Sequence, residues 1–565
     1  MKSVNGLEWQ ISYVPERLII KNKQNYNISY LLSKIFLDKK YTDEEIYYSI
    51  NKSQKNEVNY LNKDFIAASN FIKNCVKKEK KILIFGDYDV DGYSSTYLLF
   101  DYFNKLNIDC NYFVPDRTLD GYGPNVDLLK KLIKRNNYGL IIFVDCGSNS
   151  TNEINYLESE NIASIIIDHH QIYNNTNYNN SIIINPLKSL KINNYFFLCA
   201  TSLVFFFIKY LMNTFKINKK IDLNKYLFFS AIATVCDQMP LRDYNKYIVY
   251  NGLKNFDLNN FVNIKKLINL KDKITASDVA FNLGPILNSA SRLGKSDLPL
   301  KLLIENQIKN IDKIIIKLTN LNERRKQIQI KTINLLKSKN DIINQDIIFK
   351  YEININEGLL GIVASNFVDL YNRPSFVLTN SGNIIKCSSR SIIGFDVGKI
   401  FHSALKKKII LKGGGHSMAA GCTLKKDKLN EFKNFLNYQY LKKFKLIDNI
   451  KNYISIQNFD SLKSFSKDEL QYLEPFGNNN INPFFLVEKI KIIKFKILKN
   501  LHLQLFITNK YKKSCICFAF NVINTKLGDI LMSNKKEIDL IVQINNKIIR
   551  KSSDFNLIIK DAILH

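Results

Sequence analysis

The sequence predicts a multidomain α/β protein: a parallel-sheet domain, a long connecting helix, a second α/β domain and a small C-terminal β-barrel. Three observations predict it. Between Lys81 and about Asn185, short continuous apolar runs alternate with helical stretches, as strands buried on both faces of a parallel sheet do. A heptad-like apolar stripe runs from Ile314 to Leu335. Five short β-like runs follow Lys491. At 565 residues the chain exceeds what one hydrophobic core organises. The expected boundaries are an N-terminal segment 1–50, a first domain 51–300, a connecting helix 301–340, a second domain 341–440 and a C-terminal domain 441–565.

The runs of the first domain are Ile82 to Phe85, Leu140 to Val144, Ser164 to Ile167 and Ile182 to Ile184. Each is bounded by turn residues, so the loops at the strand ends are free for chemistry. A helix is expected to begin near Ser94, Ser95 and Thr96. The most apolar stretch, Tyr195 to Ile208, holds Phe196, Phe197, Phe205, Phe206 and Phe207. Thr201 and Ser202 interrupt it, and it is shorter than the ~20 residues a membrane span needs, so it reads as a buried helix. The asparagine-rich stretch Asn174 to Asn180 reads as a surface loop.

The stripe Ile314, Leu318, Leu321, Ile328 and Leu335 is broken by Arg325 and Thr332, with Glu323, Arg324, Lys326 and Lys331 on the opposite face. It fits one long helix, either bridging two domains or packed in a core. From Ile347 to Phe435 a second α/β pattern contains Gly413-Gly414-Gly415-His416. The last runs are Lys491 to Ile497, Leu503 to Ile507, Ser514 to Phe520, Ile538 to Ile544 and Phe555 to Ile559. They suit a five-stranded barrel such as an OB-fold.

The formal charge of +30 makes a polyanion the natural partner. Lys, Asn and Ile are abundant everywhere, however, so charge alone identifies no function. Nine scattered cysteines without a C-x-x-C pair argue against zinc ribbons and disulfide frameworks and fit reduced, cytosolic thiols. The opening MKSVNGLEWQ lacks the apolar stretch of a secretory signal. No P-loop motif is present, which argues against an NTPase.

The strongest chemical signal is Gly86-Asp87-Tyr88-Asp89-Val90-Asp91-Gly92, directly after an apolar strand. Crowded carboxylates repel one another unless cations are bound, and hard oxygen ligands favour Mg²⁺ or Mn²⁺. A calcium loop of the EF-hand type is the alternative, but a strand-to-helix junction is the wrong context. A second strand ends in Asp145-Cys146-Gly147, where the aspartate taken alone reads first as a helix cap. A third ends in Asp168-His169-His170, holding two of the chain's six histidines. Asp237 follows an apolar helical stretch and alone is a weak signal. Together these pieces can hold two metal ions, which clamp and activate the oxygens of a phosphoester.

The order of these motifs resembles the DHH phosphoesterase superfamily, and within it the RecJ single-strand exonucleases. GDYDVDG, VDCG, IDHH and TVCDQMPL resemble its first four motifs. KCSSRS and GGGHSMAAG resemble those of its DHH-associated domain, and LEPFGNNNINP the approach to its OB-fold. The resemblance implies that Asp87, Asp89, Asp91, Asp145, His169 and Asp237 hold two Mg²⁺ or Mn²⁺ ions. Asp168 would orient its neighbours, and His170 would sit near the scissile phosphate as acid or electrostatic stabiliser. Arg117, Arg292, Ser388, Arg390 and His416 would contact substrate phosphates. It further implies 5′-to-3′ digestion of single-stranded DNA to mononucleotides, in recombination and repair. The expected protein is a monomer of the bacterial cytoplasm, with single-strand-binding protein and a helicase as partners.

The sequence departs from the family pattern at Ile286, where an arginine is usual, and at Asn356, where a histidine is usual. Ser291 and Ser389 replace smaller residues. Two rival readings share the superfamily: a phosphodiesterase or pyrophosphatase for small substrates, and a non-catalytic DNA-binding scaffold. The basic tail with Phe495, Phe506, Tyr511, Phe518 and Phe520 among lysines favours a polymer, although a barrel core also uses aromatics. A clamp between the first two domains would thread a single strand and exclude duplex.

Overall fold

The expected strands form where short apolar runs meet turn residues. The structure, a computed structural model, describes residues 1–51, 62–117, 119–134, 136–172, 180–188, 197–215, 221–268, 274–337, 346–392, 394–443, 450–533, 537–545 and 556–564. The chain divides into two units. One gathers Glu57–Met239 and Ile248–Ile447; the other gathers Met1–Asn56, Pro240–Tyr247 and Asp448–His565.

The first of these units is built on a five-stranded parallel sheet. Its order is Cys110–Phe113, Lys81–Gly86, Tyr138–Val144, Ala163–Ile167, Ser181–Ile184. Four strands coincide with the expected runs. The fifth, Cys110–Phe113, was not expected: it lies at the sheet edge and buries only Cys110 fully, so its sequence lacks a continuous apolar signature. The strand order reverses direction about Lys81–Gly86, leaving a crevice at the carboxyl ends of the central strands. The register aligns Gly86 with Val144 and Val144 with Ile167. The next residues along these strands are Asp87, Asp145 and Asp168, so three aspartates emerge side by side.

The helix after the first strand runs Val90–Lys105, starting four residues before the expected Ser94. Asp89 moves the start: its carboxylate accepts from Asp91 N and Gly92 N at 3.0 and 3.1 Å, an N-cap on the first orphan amides. The apolar stretch forms the buried helix Ala200–Phe215; Tyr195 and Phe196 lie outside the described residues, as does 173–179 of the expected asparagine-rich loop.

The long helix is continuous from Ile308 to Lys337. Its buried seam is Ile311, Leu318, Arg325 and Thr332, seven residues apart, flanked by Asn322 and Leu336. The two residues read as breaks in the stripe therefore face inward, while Leu335 is 49% exposed. The helix lies against helices Gly284–Arg292 and Leu360–Tyr371. Beyond it comes a second sheet, in the order Lys412–Gly415, Ala419–Lys425, Ile384–Arg390, Ser375–Ser381, Ile348–Tyr351. All pairs are antiparallel except the last.

The second unit contains a closed barrel of Phe485–Leu498, His502–Thr508, Ser514–Ala519, Asn556–Ile563 and Ile538–Ile544. Phe555, expected to open the last strand, lies outside the described residues. The N-terminal residues belong to this unit: Glu8–Ile11 pairs in parallel with Ile450–Tyr453, and buried Trp9 donates to Asp561 Oδ2 at 2.8 Å. Among the described residues no helix is long and apolar enough to cross a membrane.

Candidate active site

Carboxylates converge where the central strands end. Asp87, Asp145 and Asp168 are each at most 3% exposed. Asp145 adopts φ 61°, a left-handed turn that aspartate tolerates better than most residues. Asp91 is buried on the first turn of its helix. Its carboxylate accepts from Ala200 N, Thr201 N and Thr201 Oγ1 at 2.6–2.8 Å, tying the start of helix Ala200–Phe215 to the motif. Asp237 follows helix Leu223–Cys236 and remains partly exposed.

His169 stands among these acids. Its Nε2 lies 3.2 Å from Asp145 Oδ1, 3.5 Å from Asp237 Oδ2 and 3.7 Å from Asp91 Oδ2. Burial, and then the neighbouring His170, hold its pKa below the ordinary imidazole value, so the ring is neutral and able to ligate. Burial and mutual repulsion push Asp87, Asp145 and Asp237 well above the usual carboxylate range. Asp87 Oδ1 is buried without a hydrogen-bond partner among the described residues. An orphaned carboxylate oxygen among like charges is costly unless a cation neutralises it.

The donor sets fit such cations. Asp87, Asp89 and Asp145 offer oxygens within 4.8 Å of one another, and Asp91, His169 and Asp237 offer a second group within the same limit. Asp145 and His169 bring the two groups into contact. Oxygen ligands with one imidazole suit Mg²⁺ or Mn²⁺. Asp91 has the least capacity to spare, since three donors already occupy its oxygens.

His170 is held differently. Its Nδ1 lies 2.7 Å from Asp168 Oδ1. Asp168 also accepts from Ser148 N, His169 N and His170 N. Burial disfavours the imidazolium, but Asp168 outweighs it and pushes His170 up to about 9. Burial would raise Asp168, yet His170, His169 and Ser148 hold it far below the usual carboxylate range. His170 is thus a charged, partly exposed ring at neutral pH. His416 stacks on it with centroids 5.7 Å apart; burial and the two neighbouring histidines bring His416 down to about 4.

Arginines gather beside this centre. Arg292 Nη1 donates to Gly358 O at 3.0 Å, and Arg390 Nη1 to Ser389 O at 2.9 Å. Arg117 lies 5.3 Å over the Tyr88 ring. Burial, then Arg117, Arg390 and Arg325, bring Arg292 down to about 9. A methyl group on Gly361 would sit 3.0 Å from Arg390 Nη2 and 3.1 Å from Ser388 Oγ. The bare start of helix Leu360–Tyr371 is therefore open to these side chains, an arrangement suited to phosphate oxygens. At the departures, Asn356 caps Gly358 N at 3.0 Å, and Ile286 is only partly buried.

The structure thus brings every expected site residue into one unit. Two further side chains adjoin the site. Tyr122 Oη approaches His170 Nε2 at 3.2 Å, and Asn185 donates to His170 O and Ser148 Oγ, both at 2.9 Å. Tyr122 sits between two glycines with positive φ, in the stretch Gly121-Tyr122-Gly123 that resembles a family loop near the bound 5′ end; Asn185 carries no signal in the sequence.

Gly92 explains why the acidic loop closes. An added Cβ would lie 2.3 Å from Asp87 O. Gly92→Ala is expected to destabilise the protein by about 3 kcal/mol, the upper range for overpacking, and to abolish activity. Urea unfolding checks the first effect; wild-type stability would contradict this account.

A sheet whose strands deliver aspartates and a histidine pair to one crevice is the arrangement of the DHH class, and three family models partition the chain accordingly. The DHH family, N-terminal domain, matches residues 81–234, the DHHA1 domain 344–442 and the RecJ OB domain 458–561. The single-stranded-DNA-specific exonuclease RecJ of Escherichia coli is 30% identical over 393 residues, 65% of this chain and 67% of that protein. The enzyme of the same name from Bacillus subtilis is 29% identical over 476 residues, 80% of this chain. The chain spans only 58% of that relative's length. The chain belongs to the RecJ family. The crystal structure of RecJ from Thermus thermophilus in complex with Mn²⁺ superposes with TM-score 0.82, covering 99% of this chain and 80% of that one at 20% identity, which shows a shared fold.

Proposed function

We propose that the protein is a metal-dependent exonuclease that degrades single-stranded DNA from the 5′ end to mononucleotides, in recombination and repair. The observation that carries this reading is His169 amid Asp91, Asp145 and Asp237, with charged His170 on one side. Asp87, Asp89, Asp91, Asp145, His169 and Asp237 would hold two Mg²⁺ or Mn²⁺ ions, which supply a hydroxide nucleophile and Lewis acidity when bound. Asp168 fixes His170 in place and keeps it protonated, so that it stabilises charge developing on the phosphate or gives a proton to the leaving oxygen. Arg117, Arg292, Ser388, Arg390 and His416 bind the terminal phosphates. Positive charge crowded at one end of the site favours an end over an internal position.

A polymeric substrate is favoured by the barrel. Of its five aromatics noted above, Phe495, Tyr511 and Phe520 are 37–67% exposed, Phe506 is partly exposed, and only Phe518 is buried. Lys494 Nζ lies 4.5 Å over the Phe506 ring. Exposed rings interleaved with lysines suit stacked bases and a phosphate backbone. On this reading residues 51–300 and 341–440 form the catalytic domains, joined by 301–340, and 441–565 binds nucleic acid. The protein works as a cytoplasmic monomer alongside single-strand-binding protein and a helicase.

The test is digestion of 5′-labelled and 3′-labelled single-stranded DNA with Mn²⁺, beside Asp89→Ala. Immediate release of 5′-terminal mononucleotide, lost in the variant, is the expected result. Cleavage of dinucleotides but not long DNA would favour a small-substrate phosphodiesterase; binding without cleavage would favour a scaffold.

A further inference from the structure

Among the described residues, Arg325 is a buried cation without a counter-ion. It lies on the inward seam of helix Ile308–Lys337 and is 9% exposed. Its Nη1 donates to Gln329 Oε1 and its Nη2 to Asn322 Oδ1, both at 2.8 Å and both neutral amides. Its Nε is buried with no partner. Glu323, whose charge reaches it, is ion-paired with Lys326 on the exposed face. A guanidinium withdrawn from water and left without an acid is destabilising in the free protein.

Its surroundings suggest what offsets that. The long helix packs against helix Gly284–Arg292, and the charge of Arg325 is felt at Arg292 along with those of Arg117 and Arg390. The hydrogen bonds made by the guanidinium groups of Arg292, Arg390 and Arg325 go to neutral oxygens. Arg292 thus lies in the field of three other guanidiniums, and none of the four makes an ion pair among the described residues, which leaves this region prepared for an anion.

We propose that a substrate phosphate is the missing counter-ion of Arg325, which acts as a positioning cation behind Arg292. It deepens the attraction for phosphate without being the group that reacts. The inference rests on the phosphate-binding reading given above, and it separates binding from fold stability. If Arg325 were only a helix-packing residue, its removal would loosen the protein. If it waits for an anion, its removal relieves the free protein and weakens the complex.

The experiment uses full-length Arg325→Met and Arg325→Lys. The unfolding midpoint is measured in chloride buffer without phosphate. Affinity for a 5′-phosphorylated and a 5′-hydroxyl oligothymidylate is measured in chelator, so that no cleavage occurs. Arg325→Met is expected to unfold no earlier than wild type and to bind the phosphorylated strand about tenfold more weakly. Its advantage of 5′-phosphate over 5′-hydroxyl should shrink, while Arg325→Lys retains most of it. With Mn²⁺ restored, the loss should fall on KM rather than kcat. Early unfolding of Arg325→Met with unchanged affinity would overturn the proposal. Should that variant not fold, Arg325→Gln, which keeps a donor toward Asn322, is judged by the same criteria. Wild type that binds the phosphorylated strand without digesting it contradicts the exonuclease reading alone, whereas wild type indifferent to the 5′-phosphate overturns the role of Arg325.

Discussion

Replacing His169 with alanine is expected to lower nuclease turnover about a thousandfold while leaving the fold intact. Its Nε2 lies within 3.7 Å of three carboxylates on three different elements. The neighbouring ring of His170 is instead turned to Asp168, with Nδ1 2.7 Å from Oδ1. Without His169, Asp91, Asp145 and Asp237 face one another across a gap, and their cheapest response is to bind protons. A cation then gains less by entering. Loss of several kcal/mol of transition-state charge stabilisation is the expected consequence, at 1.36 kcal/mol for each factor of ten. The fold should tolerate the change, since the ring makes its contacts with acids that are already strained by proximity. Steady-state kinetics with saturating Mn²⁺, together with a thermal melt, provide the check. Turnover within tenfold of wild type would show that the imidazole is not part of the reacting centre.

Asp168→Asn should act on both stability and rate. The carboxylate takes four donors: Ser148 N on one oxygen, and His169 N, His170 N and His170 Nδ1 on the other. An asparagine sets an NH₂ against one of these donors, and it removes the negative charge that keeps His170 protonated. Breaking a buried pair in this way costs roughly 3–5 kcal/mol, toward the lower end because His170 is about one-third exposed. Activity should fall by at least about a hundredfold, the upper range for supporting residues of a metal site.

The sign of the pH dependence follows from both partners. The pKa of His170 is raised, to about 9, so its stabilisation is complete below the ordinary imidazole value of about 6.5 and is lost as the pH rises through 9. The pKa of Asp168 is depressed, so its stabilisation is present above the ordinary carboxylate value of about 4 and is lost in acid. The difference in unfolding free energy between wild type and Asp168→Asn is therefore greatest between about pH 4 and 6.5 and shrinks toward pH 9. Urea titrations of the metal-free protein across that range measure it. A difference that grows with pH would contradict this account of the pair.

Much of the centre is legible in the chain because the relevant signals are local. Asp87, Asp145 and Asp168 each follow a continuous apolar run, and such runs become interior strands of a parallel sheet whose carboxyl ends face one crevice. The pairing of hard carboxylates with two adjacent histidines carries its own chemistry. The helix starts at Val90 rather than near Ser94 because Asp89, whose side chain also belongs to the acidic cluster, caps it. The edge strand Cys110–Phe113 escaped because an edge need not be apolar on both faces.

Residue type and short-range spacing suffice to set the class of fold, the kind of chemistry and the side chains able to perform it. How those side chains divide their work emerges only in the folded chain. Asp91 turned to anchor a helix more than a hundred residues away, Asp168 chose His170 over His169, and Arg325 moved from an interruption of an apolar stripe to its buried seam. Each of these depends on which long-range neighbour supplies the donor, the acid or the absence of one. Burial then makes that choice count, because an unpaired charge inside a protein is far more expensive than the same charge in water.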